Sequence, residues 1–195
     1  MLARVSNIDA FRRWRMDEEA SVESLVGFLT VDAPTPAMLA GTAFHEALEK
    51  SEYGLHDVLY AKGYTFQMPD AELAIPEIRE VRSYQWYGGL LVTGKCDCLD
   101  GRMVVDHKTT SRFDPERYLE GYQWRYYLDL FGADVFRWNV FELREVDTRV
   151  YEVSDPQLLE ITRYPGMHDD CMQLALDYLV FGREHLPNGS TIEDR

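Results

Sequence analysis

Cysteine is scarce in this sequence. Three among 195 residues is an odd number that supplies no disulfide framework, so a reducing cytoplasm is the expected setting. No apolar run approaches the ~20 residues of a membrane-spanning helix, and the opening "MLARVSNIDAFRRWR" lacks the apolar stretch of a secretory signal. No membrane partner is expected. Internal repeats and low-complexity segments are absent. So is the G-x-x-x-x-G-K-[ST] phosphate loop, and any coupled motor would therefore be a separate chain. Positive charge is also short: 20 Lys and Arg against 34 Asp and Glu leave a formal charge of −14. That balance is awkward for a broad phosphate-binding surface. What basic charge there is comes grouped, at Arg12, Arg13 and Arg15 and again at Lys108, Arg112, Arg117 and Arg125.

What remains is the composition of a globular protein. Hydrophobic residues make up 46% and aromatics 13%, and the length suits one domain with a real core. We place that domain at 1–187 and a flexible tail at 188–195. Ser6 before Ile8 and Phe11 suggests a short first helix, and "SVESLVGFL" a second. "TPAMLAGTAFHEALEK" has Thr35 as N-cap, Pro36 at the first helical position and apolar residues at helical spacing. From about 57 to 108 the pattern turns to strands. "DPERYLEGYQWRYYLDLFG" then reads as one helix from Asp114 to Gly132, with Gly121 inside it at a cost of about 1 kcal/mol. "DVFRWNVFEL" and "TRVYEV" read as two further strands, and residues 166 to 184 as a last amphipathic helix. The fold class is α/β (α+β).

The densest chemistry lies in "TGKCDCLDGRMVVDHKTT", residues 93–110. Strand interiors disfavour Asp and Lys, yet this stretch holds several inside what reads as a hairpin. Asp100-Gly101 is a type I′ turn signal, and it pairs Leu99 with Arg102 and Lys95 with Asp106. Alternation then puts Lys95, Asp97, Leu99, Val104, Asp106 and Lys108 on one face. Cys96, Cys98, Met103, Val105 and His107 fall on the other, which suits a core. Asp97 and Asp106 become near neighbours, and two close carboxylates repel unless a cation or proton joins them. A divalent cation with oxygen ligands resolves the conflict. On these residues alone a solvated sheet face is the reading that comes first.

Four segments in order resemble the motifs of the PD-(D/E)XK nuclease superfamily, in its RecB-like exonuclease branch. "GTAFHEALE" is similar to the G-x-x-x-H helix, "GKCD" to G-x-x-D, "VVDHKTT" to the D-x-K strand and "QWRYY" to Q-x-x-x-Y. They span residues 41–127. The resemblance implies a restriction-endonuclease-like core, with a central mixed sheet flanked by helices. It implies a Mg²⁺- or Mn²⁺-dependent DNA exonuclease of phage or bacterial recombination and repair. Asp97, Asp106 and Lys108 would be catalytic, with His45, Asp97, Asp106 and the main-chain carbonyl of His107 holding the metal. Gln123 and Tyr127 would position their helix against the site or the substrate.

Thr109, Thr110, Arg112 and Arg12 are candidate nucleic-acid contacts. Some relatives bind an iron–sulfur cluster through four Cys; Cys96, Cys98 and Cys171 cannot, so none is expected here. Small core residues is the reading for Cys96 and Cys98. The substrate would be DNA at its ends, with strand preference open, and a recombinase or single-strand-binding protein is a candidate partner. Oligomeric state is open, and the setting is the cytoplasm of a bacterium or phage-infected host. Two other classes stay in view: a non-catalytic nucleic-acid-binding or assembly module on the same fold, and an acidic nucleic-acid mimic. Within the enzymes, a structure-specific endonuclease is the alternative.

Overall fold

The computed structural model describes residues 1–31, 33–51, 57–70 and 76–186; the tail expected at 188–195 lies outside them. Strand β1 (Leu2–Arg4) runs straight into helix α1 (Val5–Met16), so Arg4 is its N-cap, not Ser6. Val5, at 1% exposure, is needed inside the core and pulls the helix start back. Helix α2 (Val22–Thr30) is capped by Ser21, whose side chain accepts from the Ser24 N–H. Helix α3 (Pro36–Lys50) starts as the sequence predicts, with Thr35 as cap and Pro36 at the first position.

Strands β2 (Val58–Ala61), β3 (Tyr64–Gln67), β4 (Ile78–Tyr87), β5 (Leu90–Asp100) and β6 (Met103–Thr110) follow. The single helix expected after them is two: α4 (Pro115–Glu120) and α5 (Gln123–Leu130). Gly121 sits between them in extended conformation, and the Tyr122 N–H donates to Asp9 Oδ1 of α1 at 2.7 Å instead of continuing a helix. Strands β7 (Val135–Asp147), β8 (Val150–Val153) and β9 (Gln157–Thr162) lead to helix α6 (Met167–His185). Two strands, β1 and β9, have no counterpart in the sequence reading. Both are short, and β9 shows too little apolar alternation to stand out from a loop.

The nine strands of the described residues form one mixed sheet, ordered β1-β5-β6-β7-β8-β3-β2, with β4 added beside β5 and β9 beside β7. β6 and β7 are parallel, as are β1 and β5, while β4 and β6 run antiparallel to β5. Helices α1, α5 and α6 cover one face over the larger core, which includes Val92, Cys96, Val104, Tyr126, Phe136, Trp138 and Tyr178. Helix α3 covers part of the other through Phe44, which packs edge-on to Phe66 and Phe141. All three cysteines are free and buried. Among the described residues no helix is long and apolar enough to cross a membrane.

Candidate active site

The site is made by a fork in the sheet. β5 is paired on one side with β4 along its length, but on the other side it changes partner. Leu91–Thr93 pair with β1, and Cys98–Asp100 pair with β6. From Asp106 onward β6 is paired with β7 alone. Asp97 and Asp106 therefore stand where the two strands separate. A fork leaves backbone polar groups without ladder partners, and each needs another. Asp97 Oδ2 accepts from the His107 N–H at 2.6 Å, and the Tyr127 hydroxyl donates to the Lys95 carbonyl at 2.9 Å. The carboxylate and the tyrosine each take up a main-chain group beside the opening.

The hairpin register differs from the expected one. Asp100 pairs with Met103 and Leu99 with Val104, so the turn is Gly101-Arg102. Gly101 has φ +56° while Arg102 is not in the left-handed region, the pattern of a type II′ turn with Gly first. Arg102 is held there by the next loop: its carbonyl accepts from the Asp134 N–H at 2.8 Å, and its side chain pairs with the Asp134 carboxylate. The shift is two residues, which leaves every side chain on its face.

A second difference does move side chains. Cys96 belongs to the larger core and Leu99 packs against that same core, although an odd separation should put them on opposite faces. Cys98 lies on the other side, its Sγ 3.6 Å from His107 Nε2. The alternation slips by one residue around Asp97. On β4 the match is Glu80, whose φ of +57° is in the left-handed region and whose pairing with Asp97 is missing between two regular pairs. Opposed bulges in neighbouring strands keep the register and swing Glu80 and Asp97 into the opening. Cys96 is thus not beside Cys98 and His107 as the alternation implied.

Around this opening four candidate side chains meet. His45, on α3, has Nδ1 3.4 Å from Asp97 Oδ2. Lys108 Nζ lies 2.7 Å from Asp106 Oδ2. Asp106 is 2% exposed, and its Oδ2, despite the ammonium alongside, has no hydrogen bond of good geometry. Burial raises the Asp106 carboxyl; Lys108 opposes this and Asp97 adds to it, and the net direction is upward. Burial would also raise Asp97, but His45 and Lys108 outweigh it and hold that carboxyl below the usual range. Lys108 is drawn down by burial and up by both aspartates, ending above its ordinary value. The His107 ring is buried at 3% exposure, and burial lowers it to about 4, so it is neutral near pH 7. Its Nδ1 is 3.3 Å from Asn139 Nδ2, and His107 lines a small hollow with His45, Glu80, Asp97 and Cys98.

The donor set suits a hard divalent cation: two carboxylates, an imidazole and a buried acceptor oxygen without a directed donor. Among the described residues no three His, Cys, Asp or Glu stand close enough to form a ready-made metal cluster. The ammonium of Lys108 and the ring of His45 take the counterion places beside the two acids.

Two hollows share Thr109 and Arg117, and Lys108 lines the first of them. One is lined by Arg12, Arg13, Thr110, Tyr118 and Gln123; the other by His45, Glu46, Glu49, Lys62, Glu80, Lys95 and Asp97. Arg12, Thr109, Thr110 and Gln123 are thus gathered at the cleft. Arg112 lines neither hollow, and Thr110 Oγ1 is engaged with the Arg112 backbone. Tyr127 is buried at 6%, and Trp124 and Tyr126 are core residues. Arg15 turns away to Asp177 on α6. Glu80 is a cleft residue absent from the sequence reading, and the bulge that presents it has no local signature; Lys95 and Arg117, read there as a face residue and a grouped cation, join it at the cleft.

The motif glycines have a packing reason. A Cβ at Gly94 would lie 2.5 Å from Tyr127 Cε1 and 3.0 Å from Leu130 Cδ1, so α5 could not rest on β5. At Gly41 it would meet Thr109 Oγ1 at 2.8 Å. Gly94→Ala should cost about 1–3 kcal/mol through overpacking, with about 2–4 °C of Tm lost for each. An unchanged melting curve would show that α5 does not press on Gly94.

No protein-family model matches the chain, and no curated protein matches it. Solved structures do. A protein named SSO0001 aligns over 90% of this chain and 74% of its own, at 16% identity and a TM-score of 0.52. A candidate exonuclease from Eubacterium rectale aligns over 98% and 83%, at 14% identity and a TM-score of 0.55. A phage-related exonuclease from Haemophilus somnus 129PT overlaps 53% of this chain and 58% of its own, at 12% identity and a TM-score of 0.38. At such identities the likeness is one of fold: a mixed sheet flanked by helices, shared over nearly the whole chain with a structure named for exonuclease activity.

Proposed function

We propose that this protein is a divalent-metal-dependent nuclease of the PD-(D/E)XK type, acting on DNA as an exonuclease. The observation that carries the reading is the convergence of Asp97, Asp106, Lys108 and His45 at the fork between β5 and β6, with Asp106 Oδ2 buried and lacking a directed donor. Asp97, Asp106, His45 and the main-chain carbonyl of His107 would hold Mg²⁺ or Mn²⁺. Such an ion, when bound, makes a water molecule acidic enough to attack near neutral pH and offsets charge on the phosphate.

The chain's own groups do the rest. Lys108 presents its ammonium at the same opening, where it would orient the attacking water and hold a non-bridging phosphate oxygen. Tyr127 fixes the strand that carries Asp97, acting on the site through the Lys95 carbonyl. Gln123 Nε2 lies 3.4 Å from the Tyr127 hydroxyl and lines the hollow that also holds Arg12. Arg12 and Arg117 supply cations for the phosphates on that side.

The test is digestion of end-labelled linear, circular and single-stranded DNA with Mg²⁺, Mn²⁺, Ca²⁺ or EDTA. Linear DNA should be degraded from its ends in Mg²⁺ or Mn²⁺ only. Equally fast loss of closed circles would replace the exonuclease with an endonuclease. No cleavage under any metal would remove the nuclease reading.

A further inference from the structure

β4 and β5 carry more than the acids at the fork. On the core side of β4, Val81 and Tyr87 pack under the helices, and Gln85 and Tyr87 bond to Asp129 of α5. The opposite side of the strand is left open: Arg82, Tyr84 and Trp86 alternate as exposed residues, with Tyr84 at 54% and Trp86 at 62%. Large aromatics two residues apart on an uncovered sheet face are out of place in a chain that buries most of its other rings.

The register shows what surrounds them. Arg82 pairs with Lys95; Tyr84 pairs with Thr93, which pairs with Arg4; Trp86 pairs with Leu91, which pairs with Leu2. The open face is therefore a ladder of rows leading away from the site. It begins at Glu80 and Asp97, passes a basic row at Arg82 and Lys95, and reaches two aromatic rows flanked by Arg4. Lys95 belongs to both regions, since it also lines the cleft with Asp97 and His45.

We infer that this face of β4 and β5 is a track for single-stranded DNA leading to or from the fork, with Tyr84 and Trp86 as stacking platforms for successive bases. The inference rests on the nuclease reading for its direction, not for its binding chemistry. Base faces are open to an aromatic ring only in a strand that is not paired, so the occupant is single-stranded. Rows on one face of a strand are about 7 Å apart, roughly twice the ~3.4 Å rise of stacked nucleotides, which suits bases splayed from their stack. Phosphates would run along Arg4, Arg82 and Lys95, displacing the partners these cations now hold, Glu80 at the Lys95 ammonium among them. Cations concentrated on this face reconcile nucleic-acid binding with a formal charge of −14.

The decisive measurement is binding of fluorescein-labelled oligo-dT of 12 nucleotides by anisotropy in Ca²⁺, with no turnover required. Tyr84→Ala/Trp86→Ala should weaken binding at least tenfold, while Tyr84→Phe/Trp86→Phe should stay within about twofold of the parent. Melting curves and sedimentation of each variant accompany it. Both changed rings are exposed, so the folded state and its mass should be unaltered. In Mg²⁺ the Ala variant should show a raised KM on long single strands and keep its rate on a trinucleotide too short to reach the track.

Failure of the parent to bind the oligonucleotide, or equal binding by the Ala variant, overturns the track whatever the cleavage assays give. A dimer that falls apart in the Ala variant also overturns it, and makes the face a contact between copies. If the parent binds through these rings yet never cleaves in any metal, the track stands and the nuclease reading falls.

Discussion

Asp106→Asn, Asp97→Asn and Lys108→Ala should each lower metal-dependent cleavage by two to three orders of magnitude, about 3–4 kcal/mol of barrier, while the protein stays folded. Asp106 has the largest expected effect. It is the most buried of the three, and its Oδ2 lacks a directed hydrogen-bond donor, so neutralising it removes the acceptor best placed for a cation. Asparagine keeps the shape and removes the charge. The Lys108 side chain is 29% exposed, and its ammonium still faces Asp97. Asp97→Asn keeps an oxygen for the His107 N–H, so the fork should hold. Single-turnover digestion at saturating Mn²⁺, with a melting curve of each variant, checks the pair of expectations. A variant that melts like the parent and cleaves at full rate would end the mechanism.

Much of this site could be read from alternation alone, and the reasons it could are specific. Asp97 and Asp106 share an opening because alternation survives any register shift of two, so misplacing the turn at Asp100-Gly101 did no harm to the faces. The true turn depends on Arg102 meeting Asp134, a contact made by a loop 32 residues on. The bulge at Asp97 is different in kind. It moves Cys96 to the larger core and leaves Cys98 by His107, and nothing in "GKCDCL" marks the slip. Its partner at Glu80 is a left-handed residue with an ordinary side chain, where a glycine would have been a signal.

The helices divide in the same way. α3 was legible to the residue because Thr35 and Pro36 are local start signals. The break between α4 and α5 was not, because Asp9 of α1 captures the Tyr122 N–H. Gly121 was visible as a weak point, but its use as a boundary was decided from across the fold. Local chemistry is readable where the partner lies within a turn or a strand pair. It is lost where the partner comes from another element.

The two histidines show the largest contrast expected from residues of one type. His107 sits inside the D-x-K motif and invites assignment as a ligand, yet its ring is buried between Cys98 and Asn139. Its main-chain N–H is bonded to Asp97 at the fork, while its ring nitrogens face Cys98 Sγ and Asn139 Nδ2. His107→Phe should therefore cost stability, about 1–3 kcal/mol for the hydrogen bond lost at Asn139, and leave kcat within about threefold at a temperature where the variant is folded. Phe141, 6.2 Å from the His107 ring, gives the new ring an aromatic neighbour.

His45 lies 52 residues away in sequence from Asp97, on a helix with no place in the strand motif. Its side chain is 31% exposed to the cleft and 3.4 Å from Asp97, within reach of an ion held there. His45→Ala should lower cleavage at least tenfold, about 1.4 kcal/mol, with a higher Mn²⁺ concentration needed for half-activity and little change in Tm. Titrating both variants and the parent with Mn²⁺ separates a ligand from a packing residue, since only loss of a ligand moves the metal midpoint. A shifted midpoint in His107→Phe with none in His45→Ala would put the metal at the His107 ring and undo the assignment of the fork.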